Sequence, residues 1–216
     1  MDVRYLPIEA VGGDYCQVRF PDPSSCYVTI CDVAGHGIGP SLMASRVSSE
    51  VRHFIMDCLR PKEIVRSLNT FIFDFFRGTD LFLSFMVAQI DLDRRRVSYS
   101  GAGHPAALHM HAGAGTIDFL SSQNMVIGVQ QECLSDEPEH VRTLYPGDRL
   151  LFYTDGLTES AKSEGQLLGQ SRFVEIASAA LSTDEFGVAD RIFDEIESYR
   201  YGPPTDDMTL IVVEIK

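Results

Sequence analysis

The sequence predicts an α+β protein of antiparallel sheets covered by helix pairs. Two observations carry this reading. Strand-like segments follow one another with few helical crossovers, and the helical segments come in two pairs separated by a run of strands. The 216 residues fit one domain with a core large enough to need no disulfides, and residues 1–216 are read as that single domain. A strand-like segment, Val3–Ile8, starts almost at once, as expected of a domain attached to something larger.

A hairpin comes next. Tyr15–Phe20 reads as a strand, Pro21, Asp22, Pro23, Ser24 and Ser25 as a turn, and Cys26–Cys31 as the returning strand. In Ser41–Leu59, apolar Leu42, Val47, Val51, Phe54, Ile55 and Cys58 recur at roughly helical spacing. Pro61 suits the first turn of a second helix, in which Ile64, Leu68, Phe71, Ile72 and Phe75 form the apolar stripe and Gly78 marks the end. Strands follow at Phe82–Ile90, Arg96–Ser100, Ala106–His111, Thr116–Leu120, Glu139–Leu144 and Arg149–Thr154, the last after a Pro146-Gly147-Asp148 turn. Helices at Ser171–Leu181 and Asp184–Tyr199 form the second pair, and Met208–Ile215 closes the chain as a strand.

Composition narrows the function. A net charge of -13 gives no Lys/Arg surface for neutralising phosphates, so a nucleic-acid partner is not expected. Clustered acid can also mark a cation site. Five cysteines without a CxxC pair favour a reducing compartment over a disulfide frame or zinc knuckle. No apolar run approaches the roughly 18–20 residues of a membrane span, and no basic start with an apolar stretch marks a signal peptide. A cytoplasmic protein without membrane association is the expectation.

The hairpin places two aspartates. Asp14 lies six residues before Phe20, and Asp32 six residues after Cys26. Folding about the turn brings both carboxylates to the same open end. Carboxylates so placed repel unless one is protonated or a cation lies between them. Gly12, Gly13, Gly35 and Gly37 let the backbone bend there. Asp155 ends one strand, and Asp206 and Asp207 precede another. Four carboxylates from distant segments are thus expected on one rim. Hard oxygen ligands of this kind suit magnesium, manganese or calcium, and a two-metal site of this kind suits hydrolysis of a phosphate ester. From the residues alone, the reading stops at a divalent-metal site of hydrolytic type.

Five motifs in order carry a resemblance: Val11-Gly12-Gly13-Asp14-Tyr15, Asp32-Val33-Ala34-Gly35-His36-Gly37, Gly101-Ala102-Gly103-His104-Pro105, Tyr153-Thr154-Asp155-Gly156-Leu157-Thr158-Glu159 and Asp206-Asp207-Met208-Thr209-Leu210. The chain resembles, over nearly its whole length, the bacterial SpoIIE/RsbU-like branch of the metal-dependent protein phosphatases, the protein phosphatase 2C type. The resemblance implies a four-layer α-β-β-α sandwich and two manganese or magnesium ions. It also implies removal of phosphate from phosphoserine or phosphothreonine by metal-activated water. By the same match, Asp32 bridges both metals and activates the water, the Val33 carbonyl and Asp14 support one metal, and Asp155 and Asp206 hold the other. Asp207 and Gly13 are supporting residues.

Two departures bear on mechanism. Pro7, Ile8, Glu9 and Ala10 stand where relatives often carry a phosphate-binding Arg. Ala34 stands where relatives place a general-acid His, with His36 two residues later. The leaving-group acid is therefore unassigned, with His36 a candidate. The substrate class implied is a phosphorylated protein, typically an anti-sigma-factor antagonist. An upstream sensory domain and a homodimer are the expected regulatory partners, acting through the first helix pair. A catalytically silent phosphoprotein-binding module and a small phosphate-ester hydrolase are the alternatives.

His109 and His111 share a strand face that two zinc ligands could use, but no third soft ligand lies at useful spacing, so zinc is not expected. His104 reads as a hydrogen-bonding residue of its turn. Phe71, Phe73, Phe75 and Phe76 read as core and helix-packing residues, with any exposed remainder a partner surface.

Overall fold

A computed structural model describes all residues except 77, 79, 80, 133, 136–138, 164, 165 and 182–186. The chain divides into two compact units. One unit, Val11–Pro105 with Ser121–Leu144, contains the hairpin and the first helix pair. The other comprises Met1–Ala10, Ala106–Leu120 and Tyr145–Lys216.

The hairpin unit is built on a five-stranded sheet with order β2-β3-β4-β5-β8, every neighbouring pair antiparallel. These strands are β2 Tyr15–Asp22, β3 Ser25–Val33, β4 Leu83–Asp91, β5 Arg96–Ala102 and β8 His140–Thr143. The expected turn is shorter than the sequence implied, because Asp22 pairs with Ser25 after a register shift beyond Arg19. The Ser24 N–H donates to Asp22 Oδ1 at 2.7 Å and tightens it. Helices α1 (Ile38–Met56) and α2 (Pro61–Phe75) cover one face. Val47, Val51 and Ile55 of α1 pack with Ile64, Leu68 and Ile72 of α2 against Tyr27, Cys31, Val33, Phe85 and Val87. Pro61 opens α2 as expected, and the Arg60 N–H donates to Glu63 Oε2 at 2.9 Å across that first turn.

The helical stripes are shifted from the sequence reading. Leu42 is exposed, while Met43 and Ala44 are buried. Phe75 is exposed, while Asn69 is buried. Asn69 takes a core position because its amide is satisfied there: Nδ2 donates to the Gln130 and Gln131 carbonyls at 3.1 and 2.9 Å, and Oδ1 accepts the Gly128 N–H at 3.0 Å. Phe71 and Phe76 pack at the margin of the core, and Arg46 lies over the Phe71 ring.

The other unit has a five-stranded sheet of order β1-β12-β9-β6-β7, again antiparallel throughout. Its strands are β1 Asp2–Leu6, β6 Ala107–Met110, β7 Ile117–Leu120, β9 Arg149–Tyr153 and β12 Met208–Glu214. Helices α4 (Gly169–Leu181) and α5 (Val188–Tyr199) bury Phe173, Ala177, Ile192, Phe193 and Ile196 against Leu108, Leu151, Tyr153, Leu210 and Val212. Residues 184–186 of the expected Asp184–Tyr199 helix lie outside the described residues. Three short elements escaped the sequence reading: α3 Asp155–Thr158 and the strand pair β10 Ala161–Ser163 with β11 Gln166–Leu167. All are too short to show periodicity. The α+β class holds, with two five-stranded antiparallel sheets and one helix pair for each among the described residues. No helix among the described residues is long and apolar enough to cross a membrane.

Candidate metal-binding aspartates

In the hairpin unit, the β2–β3 register runs from Arg19 opposite Tyr27 to Tyr15 opposite Cys31. Continued by one residue, it sets Asp14 opposite Asp32. The Val33 N–H donates to the Gly13 carbonyl at 3.3 Å, which extends the pairing past both. Directly opposed residues share a face, with Cβ atoms about 4.5–5.5 Å apart. Tyr15, Cys31 and Val33 pack with the helix-side core. By alternation, Asp14 and Asp32 therefore lie on the opposite face. Asp14 is buried and Asp32 partly exposed.

Gly13 permits this close approach. A Cβ there would sit 2.8 Å from the Val33 carbonyl oxygen and 3.2 Å from that of Gly35. The chain then passes through Gly35 and Gly37, both with positive φ, directly into α1. His36 is exposed in this loop.

Sequence reasoning did not reach Ser84. In the β3–β4 register Ser84 stands opposite Asp32, on the same face. Its Oγ lies 2.7 Å from His104 Nδ1. Buried His104 is thus a hydrogen-bonding residue, as its motif suggested, and its bond is to the neighbour of Asp32. Some 50 residues, including both helices, separate Asp32 from Ser84, so no local pattern could have paired them.

In the second unit, β9 and β12 pair from Arg149 opposite Glu214 to Tyr153 opposite Leu210. The Thr154 N–H donates to the Thr209 carbonyl at 3.1 Å, and the Thr209 N–H to Thr154 Oγ1 at 2.9 Å. This join brings the Asp155-Gly156 turn against Asp206-Asp207. A Cβ on Gly156 would lie 2.1 Å from the Asp207 carbonyl oxygen, so only glycine fits. Asp206 Oδ1 accepts the Asp207 N–H at 2.8 Å. Asp207 is buried and its Oδ1 accepts the Ile8 N–H at 2.9 Å, tying the start of β12 to the end of β1. That bond positions the backbone at the start of β12.

Asp155 Oδ1 is buried and has no hydrogen-bond partner among the described residues, while backbone N–H groups of Asp155 and Gly156 act on the carboxyl group. Burial raises the Asp155 pKa and Glu159 raises it further, more than those backbone N–H groups lower it. A carboxylate in that state is completed by a cation or a proton, so the site fits a hard dication. In the hairpin unit the two opposed carboxylates and the Val33 carbonyl are likewise hard oxygen donors. The structure thus brings Asp14 together with Asp32, and Asp155 together with Asp206. The two groups belong to different units.

The fold is that of solved PP2C domains. The SiaA-PP2C domain of Pseudomonas aeruginosa superposes with a TM-score of 0.88 at 20% identity, covering 100% of this chain and 85% of that one. RsbX, solved in complex with magnesium, superposes at 0.72 with 16% identity over 99% of this chain and 94% of that chain. A family model described as Stage II sporulation protein E (SpoIIE) matches residues 22–216, and the chain belongs to that family. Phosphoserine phosphatase RsbU of Bacillus subtilis (strain 168) is 23% identical over 211 residues, 98% of this chain. The chain spans 62% of the length of RsbU.

Proposed function

We propose that this chain is a metal-dependent protein-serine/threonine phosphatase domain, the output part of a longer bacterial signalling regulator. Its substrate is a phosphoserine on an anti-sigma-factor antagonist or a similar signalling protein. The observation that carries this reading is the register that opposes Asp14 and Asp32 beside the Val33 carbonyl. Asp14, Asp32, the Val33 carbonyl, Asp155 and Asp206 are the ligands of two divalent cations, Mn2+ or Mg2+. By the family pattern, Asp32 would be the ligand tied to activating water. When bound, such cations lower the pKa of water and polarise a phosphoryl oxygen.

The protein's own residues orient these groups. Gly13 leaves the Val33 carbonyl uncrowded. Ser84, bonded to His104, stands beside Asp32. Asp207 fixes the backbone that carries Asp206. Regulation enters through α1, because the loop from Val33 runs straight into it and a shift of the helix moves ligand atoms. An attached sensory domain or a second copy would act on α1 and α2, whose exposed apolar residues include Leu42 and Phe75.

The test is phosphate release from a phosphoserine-bearing protein with Mn2+ or Mg2+, compared with chelator and with Asp32→Asn, Asp155→Asn and Asp206→Asn. Each substitution should lower the rate by at least about a hundredfold, the scale of losing one electrostatic group in an active site, with the fold intact by circular dichroism. Full activity in excess chelator or in Asp32→Asn defeats the mechanism. No hydrolysis with substrate binding retained would mark a silent binding module. Comparable rates on nucleoside phosphates would mark a small-ester hydrolase.

A further inference from the structure

The third ligand that the sequence did not supply for His109 and His111 is Asp148. We propose that His109, His111 and Asp148 form a separate metal site for one zinc ion or a similar late first-row dication. In the β6–β9 register, His109 pairs with Leu150 and Met110 with Arg149, so the next step sets His111 opposite Asp148. One donor atom from each of the three side chains lies within 4.8 Å of the others. His109 Nε2 is 2.8 Å from Asp148 Oδ2, and His111 Nδ1 is 3.8 Å from the same oxygen.

Hydrogen bonding around the cluster fixes its chemistry. His111 Nε2 lies 3.0 Å from Asp118 Oδ2. A carboxylate only accepts, so Nε2 donates to Asp118, as His109 Nε2 donates to Asp148 Oδ2 at 2.8 Å; an ion bound by His109 through Nε2 would replace that second proton. The 3.8 Å between His111 Nδ1 and Asp148 Oδ2 leaves room for an ion held by both. An imidazole whose far nitrogen donates to a carboxylate is the arrangement that orients histidine ligands at metal centres. Asp148 is held rigidly as well: Oδ1 accepts the Ala112 N–H at 3.1 Å and Oδ2 the Tyr145 N–H at 3.0 Å. His109 is fully buried, and the His111 side chain is 26% exposed, which gives an ion access from solvent.

Two imidazole nitrogens and one carboxylate oxygen suit zinc, with the fourth position open to water, and do not suit magnesium. The ion would clamp the end of β6 to the start of β9. Asp148 and Asp155 flank opposite ends of β9, roughly 20 Å apart at about 3.3 Å per residue. Zinc occupancy is therefore independent of the aspartate ligands.

The experiment titrates Zn2+ into the metal-stripped chain in excess Mg2+, which occupies the oxygen-ligand sites, and reads zinc uptake by chelator competition together with thermal unfolding. Wild type should take up one zinc more than His111→Ala and gain thermal stability that the variant does not. Asp118→Asn should weaken the zinc affinity about 10–100-fold. Should His111→Ala not fold, Asp118→Asn decides, because the Asp118 side chain is exposed. Equal zinc affinity in all three proteins, or no uptake by wild type above its Mg2+ background, overturns the site and leaves a hydrogen-bonded triad.

Discussion

Gly156→Ala tests the join that carries Asp155 and Asp206. The added Cβ would lie 2.1 Å from the Asp207 carbonyl oxygen, 3.0 Å from its carbonyl carbon and 3.4 Å from that of Asp206. Even a weak C–H···O contact needs about 3.3–3.6 Å, so the two backbones must separate by roughly an ångström. Both are anchored by the Thr154–Thr209 hydrogen bonds, so no flexible side chain can give way. Overpacking of this kind costs about 1–3 kcal/mol, and one strained ladder bond adds about 1 kcal/mol. At about 2–4 °C per kcal/mol for a chain of this size, the melting temperature should fall by roughly 5–15 °C. Gly39→Ala is the control. Nothing lies within 4 Å of its Cβ position, which is in the first turn of α1. Alanine there should be neutral or stabilising by up to about 1 kcal/mol. Calorimetric melts of both variants decide the matter, with manganese titration showing weaker binding only for Gly156→Ala. A Gly156→Ala protein as stable as wild type, or less affected than Gly39→Ala, refutes the steric reasoning.

Two further outcomes follow from the packing. Asn69→Ala strips three hydrogen bonds from the segment 128–131 and should destabilise the protein by about 2–4 kcal/mol in denaturant titrations; a loss under about 0.5 kcal/mol would show that the segment does not depend on them. In native alkylation followed by peptide mapping, exposed Cys58 should react first among the described cysteines. Cys26 and Cys31 should stay protected until unfolding, because burial pushes the Cys26 thiol up to about 11 and the Cys31 thiol well above its usual value. Cys31 reacting as fast as Cys58 would contradict that burial.

The local elements were legible in the chain. A hairpin fixes its own register, so counting six residues out from Phe20 and Cys26 sufficed to oppose Asp14 and Asp32. Pro61 and the apolar spacing behind it announced α2. The faces of the helices were less legible. Leu42 and Phe75 have the right period but lie exposed, while polar Asn69 is buried, because burial follows the partner surface and the hydrogen bonds it offers, as well as hydrophobicity.

By itself, then, the sequence determined the hairpin register, the order of the strands along the chain, the helix pairs and the placing of its aspartates at strand ends. Each depends on residues within a turn or a strand of one another, where backbone geometry leaves few choices. The tertiary structure alone decided which distant strands became neighbours. It set Ser84 and His104 beside Asp32, packed Gly156 on Asp207 and tied the start of β12 to Ile8. It also brought Asp148 to His109 and His111, though 36 residues lie between His111 and Asp148. Such pairings are selected by burial and sheet order over the whole unit, and no spacing along the chain encodes them.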